Sequence, residues 1–246
     1  MRLIAIFLAV FGAWAGWASW AEAQDQNPVV DLELVLLADA SGSIDWPEIQ
    51  FQRQGYATAI TSPEVLKAIR STAYGKIAVS YVEWASAGSE NIVVPWMVIE
   101  DSTSANAFAQ ALLPPPRLAF GRNAIGSALL FGQRMIEENN IESWRQVIDF
   151  SGDSANNWNG PSVEMARREV LEAGTVINGL AILCRACNGR PSGADLEQRY
   201  RDEIIGGPGA FVITAETAEN FADAVKRKLI LEISGKMPGA DLAHLK

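Results

Sequence analysis

The sequence predicts an α/β fold: a doubly wound, mostly parallel central sheet with one antiparallel edge strand and helices on both faces. Three observations carry this expectation. Apolar runs at residues 32–38, 147–150 and 176–183 are nearly continuous rather than alternating, as strands covered on both faces must be. Segments of helical periodicity stand between them, the pattern of parallel strands joined by helical crossovers. Polar loops follow the strand ends, where open α/β sheets place their ligand sites.

Taken in order, residues 1–20 join an early positive charge, Arg2, to an apolar stretch, and Ala21-Glu22-Ala23 supplies a small-x-small cleavage site. The expectation is a signal peptide over 1–23. The competing reading is a retained anchor, because the run approaches the ~20 apolar residues of a spanning helix. No later run has that length and character, so the expected mature chain is periplasmic or secreted, with no stable membrane span after cleavage. A short polar leader occupies 24–30. One domain is expected over 31–234, long enough for a full α/β core, with a frayed tail over 235–246.

Strand 32–38 runs into Asp39. Asp45 then caps a helix with Pro47 in its first turn, expected to continue to about residue 69. Residues 77–84 and 92–99 read as strands around the turn at 87–90, an antiparallel edge pair. A helix over 102–113 is stopped by Pro114-Pro115-Pro116, a rigid spacer. The polar loop Gly121-Arg122-Asn123 precedes a helix over 125–138. Strand 147–150 leads straight into Ser151-Gly152-Asp153. Val163, Ala166, Val170 and Leu171 mark a helix over 162–173. Strand 176–183, helix 196–205, strand 210–213 and helix 218–233 complete the expected order.

Lys and Arg number 20 against 29 Asp and Glu, a net charge of −9. Nucleic acid and anionic membranes demand clustered Lys and Arg, so neither is expected as a partner. Cys184 and Cys187 are the two cysteines, spaced Cys-x-x-Cys. In an exported chain a local disulfide is the leading expectation, with a thiol oxidoreductase as the alternative. The single histidine, His244, falls in the tail, and no Gly-x-Ser-x-Gly elbow occurs. A serine hydrolase therefore lacks its base and its motif. Glu83 and Asp149 sit inside apolar strands, where an unpaired charge is costly. They read as buried structural carboxylates, or else as supports for an ion.

The most informative stretch is Asp39-Ala40-Ser41-Gly42-Ser43. One carboxylate and two hydroxyls on a tight loop are hard oxygen donors suited to a hard divalent cation, above all magnesium. The same residue types also cap helices, so a structural turn is the competing reading. With Asp39, Ser41 and Ser43 in Asp-x-Ser-x-Ser, the chain resembles the von Willebrand factor type A (VWA) domain family over 31–233. Ser151-Gly152-Asp153 and the stretch at 205–211 resemble an exported bacterial subgroup of unknown function.

The resemblance implies a metal-ion-dependent adhesion site. Ser41 and Ser43 would ligate Mg2+ (or Mn2+ or Ca2+) directly. Asp39 and Asp153 would hold waters or support the hydroxyls, and Asn123 would take the remaining protein position. The open coordination position would accept an acidic group from a protein partner. Two departures stand out: Asn123 replaces the usual Thr, and the carboxylate of Ser151-Gly152-Asp153 comes one residue later than in the family's Thr-Asp-Gly. Trp158, in the polar stretch 156–160, is a candidate partner contact. The expected function is non-enzymatic binding through the ion, the alternative being an interaction domain with a vestigial metal site.

Overall fold

A computed structural model describes residues 27–183 and 195–236. The expected signal peptide, the Cys184–Cys187 pair and His244 lie outside the described residues. In chain order the elements are β1 (Val29–Val30), β2 (Leu32–Asp39), α1 (Trp46–Ile60), α2 (Pro63–Arg70), β3 (Ile77–Trp84), β4 (Asn91–Ile99), α3 (Ser102–Leu112) and α4 (Ile125–Glu137). There follow β5 (Glu142–Ser143), β6 (Gln146–Gly152), α5 (Val163–Glu172), β7 (Val176–Ile182), α6 (Leu196–Arg199), β8 (Val212–Ala215) and α7 (Ala218–Ser234).

Six strands form the sheet in the order β4-β3-β2-β6-β7-β8. Every pairing is parallel except β3–β4, the antiparallel edge. Exposed Pro95 interrupts the donors of β4, which blunts that edge against further pairing. All eight residues of β2 are buried, because helices cover both faces. Leu32, Leu34, Leu36 and Ala38 enter one core with Tyr56, Phe108 and Phe221 from α1, α3 and α7. Val35 and Leu37 enter a second core with Leu129 of α4 and Val170 of α5.

Strand order sets where a crevice opens at one end of the sheet. From β2 the chain moves to β3 on one side, then crosses back to β6 on the other. Loops leaving the carboxyl ends of β2 and β6 therefore part in opposite directions and open a crevice, the usual ligand position in such sheets. Asp39 is the last residue of β2, and Asp153 immediately follows β6.

Three expectations need correction. The helix expected to reach residue 69 ends at Ile60 and restarts at Pro63. The Ser62 side chain caps the second helix at the Val65 amide, and proline disfavours helical conformation in the residue before it. The segment expected to be helical over 196–205 is helical from Leu196 to Ile204, and only its type differs: one α turn passes into a π turn, Tyr200–Ile204. The last strand begins at Val212, because Ala210 is held in a turn by the Gly207 carbonyl. The sequence also gave no sign of β1 and β5, a small parallel pair beside the main sheet.

Two of the buried charges inside the strands, Glu83 and Asp149, are paired with cations. Glu83 meets Arg53 at 2.7 Å, and that guanidinium also donates to the Pro115 carbonyl of the proline run. Asp149 meets Lys228 at 2.8 Å, and the same ammonium reaches Glu232. Glu83 and Asp149 are structural carboxylates with cationic partners.

Candidate functional site

The loop after β2 folds around its own aspartate. Asp39 is buried, and its Oδ1 accepts from the Ser41 amide at 2.8 Å. That bond turns the chain so that Ser41 Oγ stands 3.2 Å from Ser43 Oγ. Ser43 Oγ in turn donates to Asp153 Oδ1 at 3.1 Å, across 110 residues of sequence. The helix cap lies elsewhere: Asp45 accepts from the Glu48 amide, and Glu48 returns the bond to the Asp45 amide. The capping reading of Asp-x-Ser-x-Ser is therefore replaced by a cap two residues beyond the motif, and Asp39, Ser41 and Ser43 face the crevice edge instead.

Neighbouring elements lock this loop in place. The Gly42 amide donates to the Gly121 carbonyl at 2.8 Å, bringing the Gly121-Arg122-Asn123 loop alongside. Gly121 is needed there. It has φ +114°, and a Cβ would stand 1.9 Å from Ser86 Oγ, so any side chain would be both strained and blocked. Arg117 spreads its guanidinium over the Ala40, Ser41 and Ile44 carbonyls, a clamp on the whole turn. Gln52, from α1, donates to the Asp39 carbonyl at 3.3 Å. Tyr200, from the π turn, donates to the Gly152 carbonyl at 3.0 Å and steadies the chain just before Asp153. A Cβ at Gly152 would lie 2.9 Å from Asp39 Oδ2, so the glycine keeps the two acidic loops close.

Of the residues expected in the site, Asp39, Ser41, Ser43 and Asp153 are joined by hydrogen bonds. Asn123 lies on the adjoining loop with a buried side chain whose amide nitrogen has no hydrogen-bond partner among the described residues. Its carbonyl accepts from the Trp158 amide at 2.8 Å, which ties the Trp158 loop to the same edge. The Trp158 ring is 56% exposed, and the Arg122 guanidinium lies over it at 4.0 Å.

The electrostatics are one-sided. Burial, and then the charge of Asp153, push the Asp39 carboxyl up to about 7. Burial also raises the Asp153 carboxyl. Among the described residues no ion pair reaches either one, and Asp39 Oδ2 is buried with no hydrogen-bond partner. Burial disfavours the charge of both carboxyls at this sheet edge, and the Asp153 charge adds to that at Asp39. A divalent cation would reverse that balance, and two hydroxyls, two carboxylates and the Asn123 amide are all donors it accepts. The residues fit such an ion. Among the described residues no cluster of three His, Cys, Asp or Glu could hold a metal, so any ion here would depend on the serines and Asn123.

Sequence reasoning did not identify Arg117, Gln52 or Tyr200 as supports of this edge. Their contacts span between 13 and 77 residues, and no local pattern announces them.

Comparison with known proteins agrees with the fold. Solved structures share the fold at low identity. A von Willebrand factor type A protein from Catenulispora acidiphila is 15% identical over 83% of this chain and 43% of its own, at a TM-score of 0.58. The pilus adhesin SpaC from Lactobacillus rhamnosus GG is 14% identical, with TM-score 0.57 over 85% of this chain. This chain spans only 30% of that adhesin. The vWF domain of the type V pili tip protein Mfa5 from Porphyromonas gingivalis is 10% identical, over 85% of this chain and 97% of its own, at 0.55. At such identities the likeness is one of fold, the VWA fold. No curated protein sequence matches the chain significantly. A family model described as a protein of unknown function (DUF1194) matches residues 29–237, nearly all of the described fold. The chain belongs to that family, DUF1194, and carries it on a VWA-like architecture.

Proposed function

We propose that this protein is a non-enzymatic, exported binding module. It takes up a divalent cation, magnesium first, at Asp39, Ser41, Ser43, Asn123 and Asp153, and through that ion holds an acidic group of a protein partner. The observation that carries the reading is the uncompensated carboxylate pair. Asp39 and Asp153 are brought together at the switch point of the sheet, linked through serine hydroxyls, and Asp39 Oδ2 is buried with no hydrogen-bond partner among the described residues. Buried Glu83, Asp149 and Glu232 have Arg53 or Lys228 beside them, and buried Asp31 and Glu33 take neutral hydrogen-bond donors, whereas at this edge two carboxylates share one loop cluster with no cation among the described residues.

The chemistry of binding follows from the ligand types. Neutral hydroxyls and an amide donate little charge to the ion, so the bound ion stays electrophilic and favours an incoming carboxylate. Adhesins and a pilus tip protein among the fold neighbours are in keeping with a binding role. Export rests on the amino-terminal 23 residues, and the domain on residues 31–234.

Thermal unfolding in chelator and in magnesium or manganese tests the site. Ligand that binds only the native state stabilises it by about 2.7 kcal/mol at a hundredfold excess over Kd. The expected result is a metal-dependent rise in Tm for the wild type that Asp39→Asn abolishes. An equal Tm in both buffers, across the millimolar range, would leave the vestigial-site reading in its place.

A further inference from the structure

Beside the candidate ion lies a second recognition element that the metal does not explain. Arg122 sits between Gly121, whose carbonyl holds the metal loop, and Asn123. Its guanidinium is stacked on the Trp158 ring at 4.0 Å, and it makes no ion pair among the described residues. Both ends of this stack are anchored. The Arg122 amide donates to Ser86 Oγ at 3.1 Å, and the Trp158 amide donates to the Asn123 carbonyl at 2.8 Å. A stacked guanidinium keeps its edge free, so its donor fork is presented, already oriented, for two parallel bonds to a carboxylate.

The rim around it is apolar. Phe120, 57% exposed, lies under the Arg117 guanidinium at 5.0 Å, and Leu118 is 58% exposed. With Trp158 they are three large apolar side chains exposed on the loops that adjoin the metal loop. Aromatic and arginine side chains are also the types that anchor protein interfaces.

We propose that Arg122 and Trp158 form a subsite for a second acidic residue of the partner, next to the one that reaches the ion, with apolar side chains of the same segment resting on Phe120 and Leu118. The occupant is a protein segment carrying two neighbouring acidic residues among apolar ones. Charge complementarity decides this: an overall acidic chain places a pre-stacked arginine, with no ion pair among the described residues, beside the candidate cation site, and a ligand with two neighbouring negative groups satisfies both. The inference rests on the metal-dependent reading above.

The test uses synthetic nonapeptides with a fixed central Glu, the flanking positions being varied among Glu, Gln and Leu. Each is titrated into the purified protein in magnesium and in chelator. The expected result is magnesium-dependent binding of the single-Glu peptides, strengthened about five- to tenfold by an adjacent second Glu. Arg122→Ala removes that gain and leaves single-Glu binding intact, while Arg122→Lys restores part of it. The indole N–H resonance of Trp158 shifts with the Glu-Glu peptide and stays in place with Glu-Gln.

Magnesium-dependent binding that is indifferent to the second Glu, or a gain that survives Arg122→Ala, overturns this inference alone. If no peptide prefers magnesium to chelator, the metal-dependent reading falls and the subsite falls with it.

Discussion

Two pairs of buried carboxylates lie along β6, and the chain has supplied a cation to only one of them. In the middle of the strand, Asp149 is joined to Glu232 through Lys228, an ammonium delivered by α7 from the core side. At the strand's carboxyl end, Asp153 approaches Asp39 through Ser43, and no ammonium or guanidinium pairs with either carboxylate among the described residues. Burial raises all four carboxyls above their ordinary range. The difference teaches how an interior charge reveals purpose. At Asp149 and Glu232 the fold itself supplies the cation, and at Asp39 and Asp153 no described residue does.

The comparison can be broken most forcefully from the structural side. Lys228→Met leaves Asp149 and Glu232 buried without their cation and is expected to cost about 3–5 kcal/mol, read by urea unfolding at neutral pH. Replacing Lys228, Asp149 and Glu232 together with Met, Asn and Gln should recover most of that loss, because no charge is then stranded. If Lys228→Met proves as stable as wild type, the two pairs do not differ in the way claimed.

Next in size is the metal effect at the other pair. Saturating magnesium should stabilise wild type by about 2.7 kcal/mol at a hundredfold excess over Kd and leave the Lys228 cluster's contribution unchanged. Differential scanning calorimetry of wild type and Asp153→Asn, each in chelator and in magnesium, separates the two. The asparagine variant is expected to lose the metal response.

A smaller effect runs in the opposite direction. Without metal, Asp39→Asn keeps the acceptor for the Ser41 amide yet removes a carboxyl whose charge burial and Asp153 both disfavour. In chelator at neutral pH it is expected to raise stability by about 1–2 kcal/mol, where most buried polar substitutions lower it. A destabilised variant would show that the Asp39 charge is already compensated within the fold.

The finest distinction comes from pH. Burial, offset in part by Lys228, moves the Glu232 carboxyl from an ordinary 4.5 up to about 7. A folded-state value above the unfolded one means the native state holds the proton more tightly. Its stabilising contribution is then present below about 4.5 and falls as pH rises through 7. Glu232→Gln should flatten that part of the stability profile, by on the order of 1 kcal/mol between pH 5 and 7. A profile that keeps its slope in the variant would assign the titration to another carboxyl.

Much of this arrangement was legible in the residues themselves. The apolar runs announced both-sides-buried strands, since a strand under helices on two faces has no solvent side on which to alternate. Asp39, Ser41 and Ser43 were legible because three oxygen ligands crowd into five residues after one such strand. Asn123 and Asp153 were nominated only through family resemblance, since each is an ordinary loop residue until the fold brings it near. The break between α1 and α2 was written in Ser62-Pro63, and a reading of periodicity alone passed over it.

By itself the sequence determined the alternation of elements, the pairing of that alternation with a mostly parallel sheet, and the acidic loop at the end of β2. These follow from short-range rules: side-chain periodicity, proline and cap chemistry, and the need to bury apolar runs. Tertiary structure alone decided which carboxylates received cations. Lys228 answers Asp149 and Arg53 answers Glu83 because α7 and α1 dock on one face of the sheet, at a register no local pattern encodes. Arg117 clamps carbonyls more than 70 residues away, and Ser43 meets Asp153 across 110, because strand order places the ends of β2 and β6 side by side. Electrostatic energy depends on distances in space and on burial, and only the folded chain sets either one.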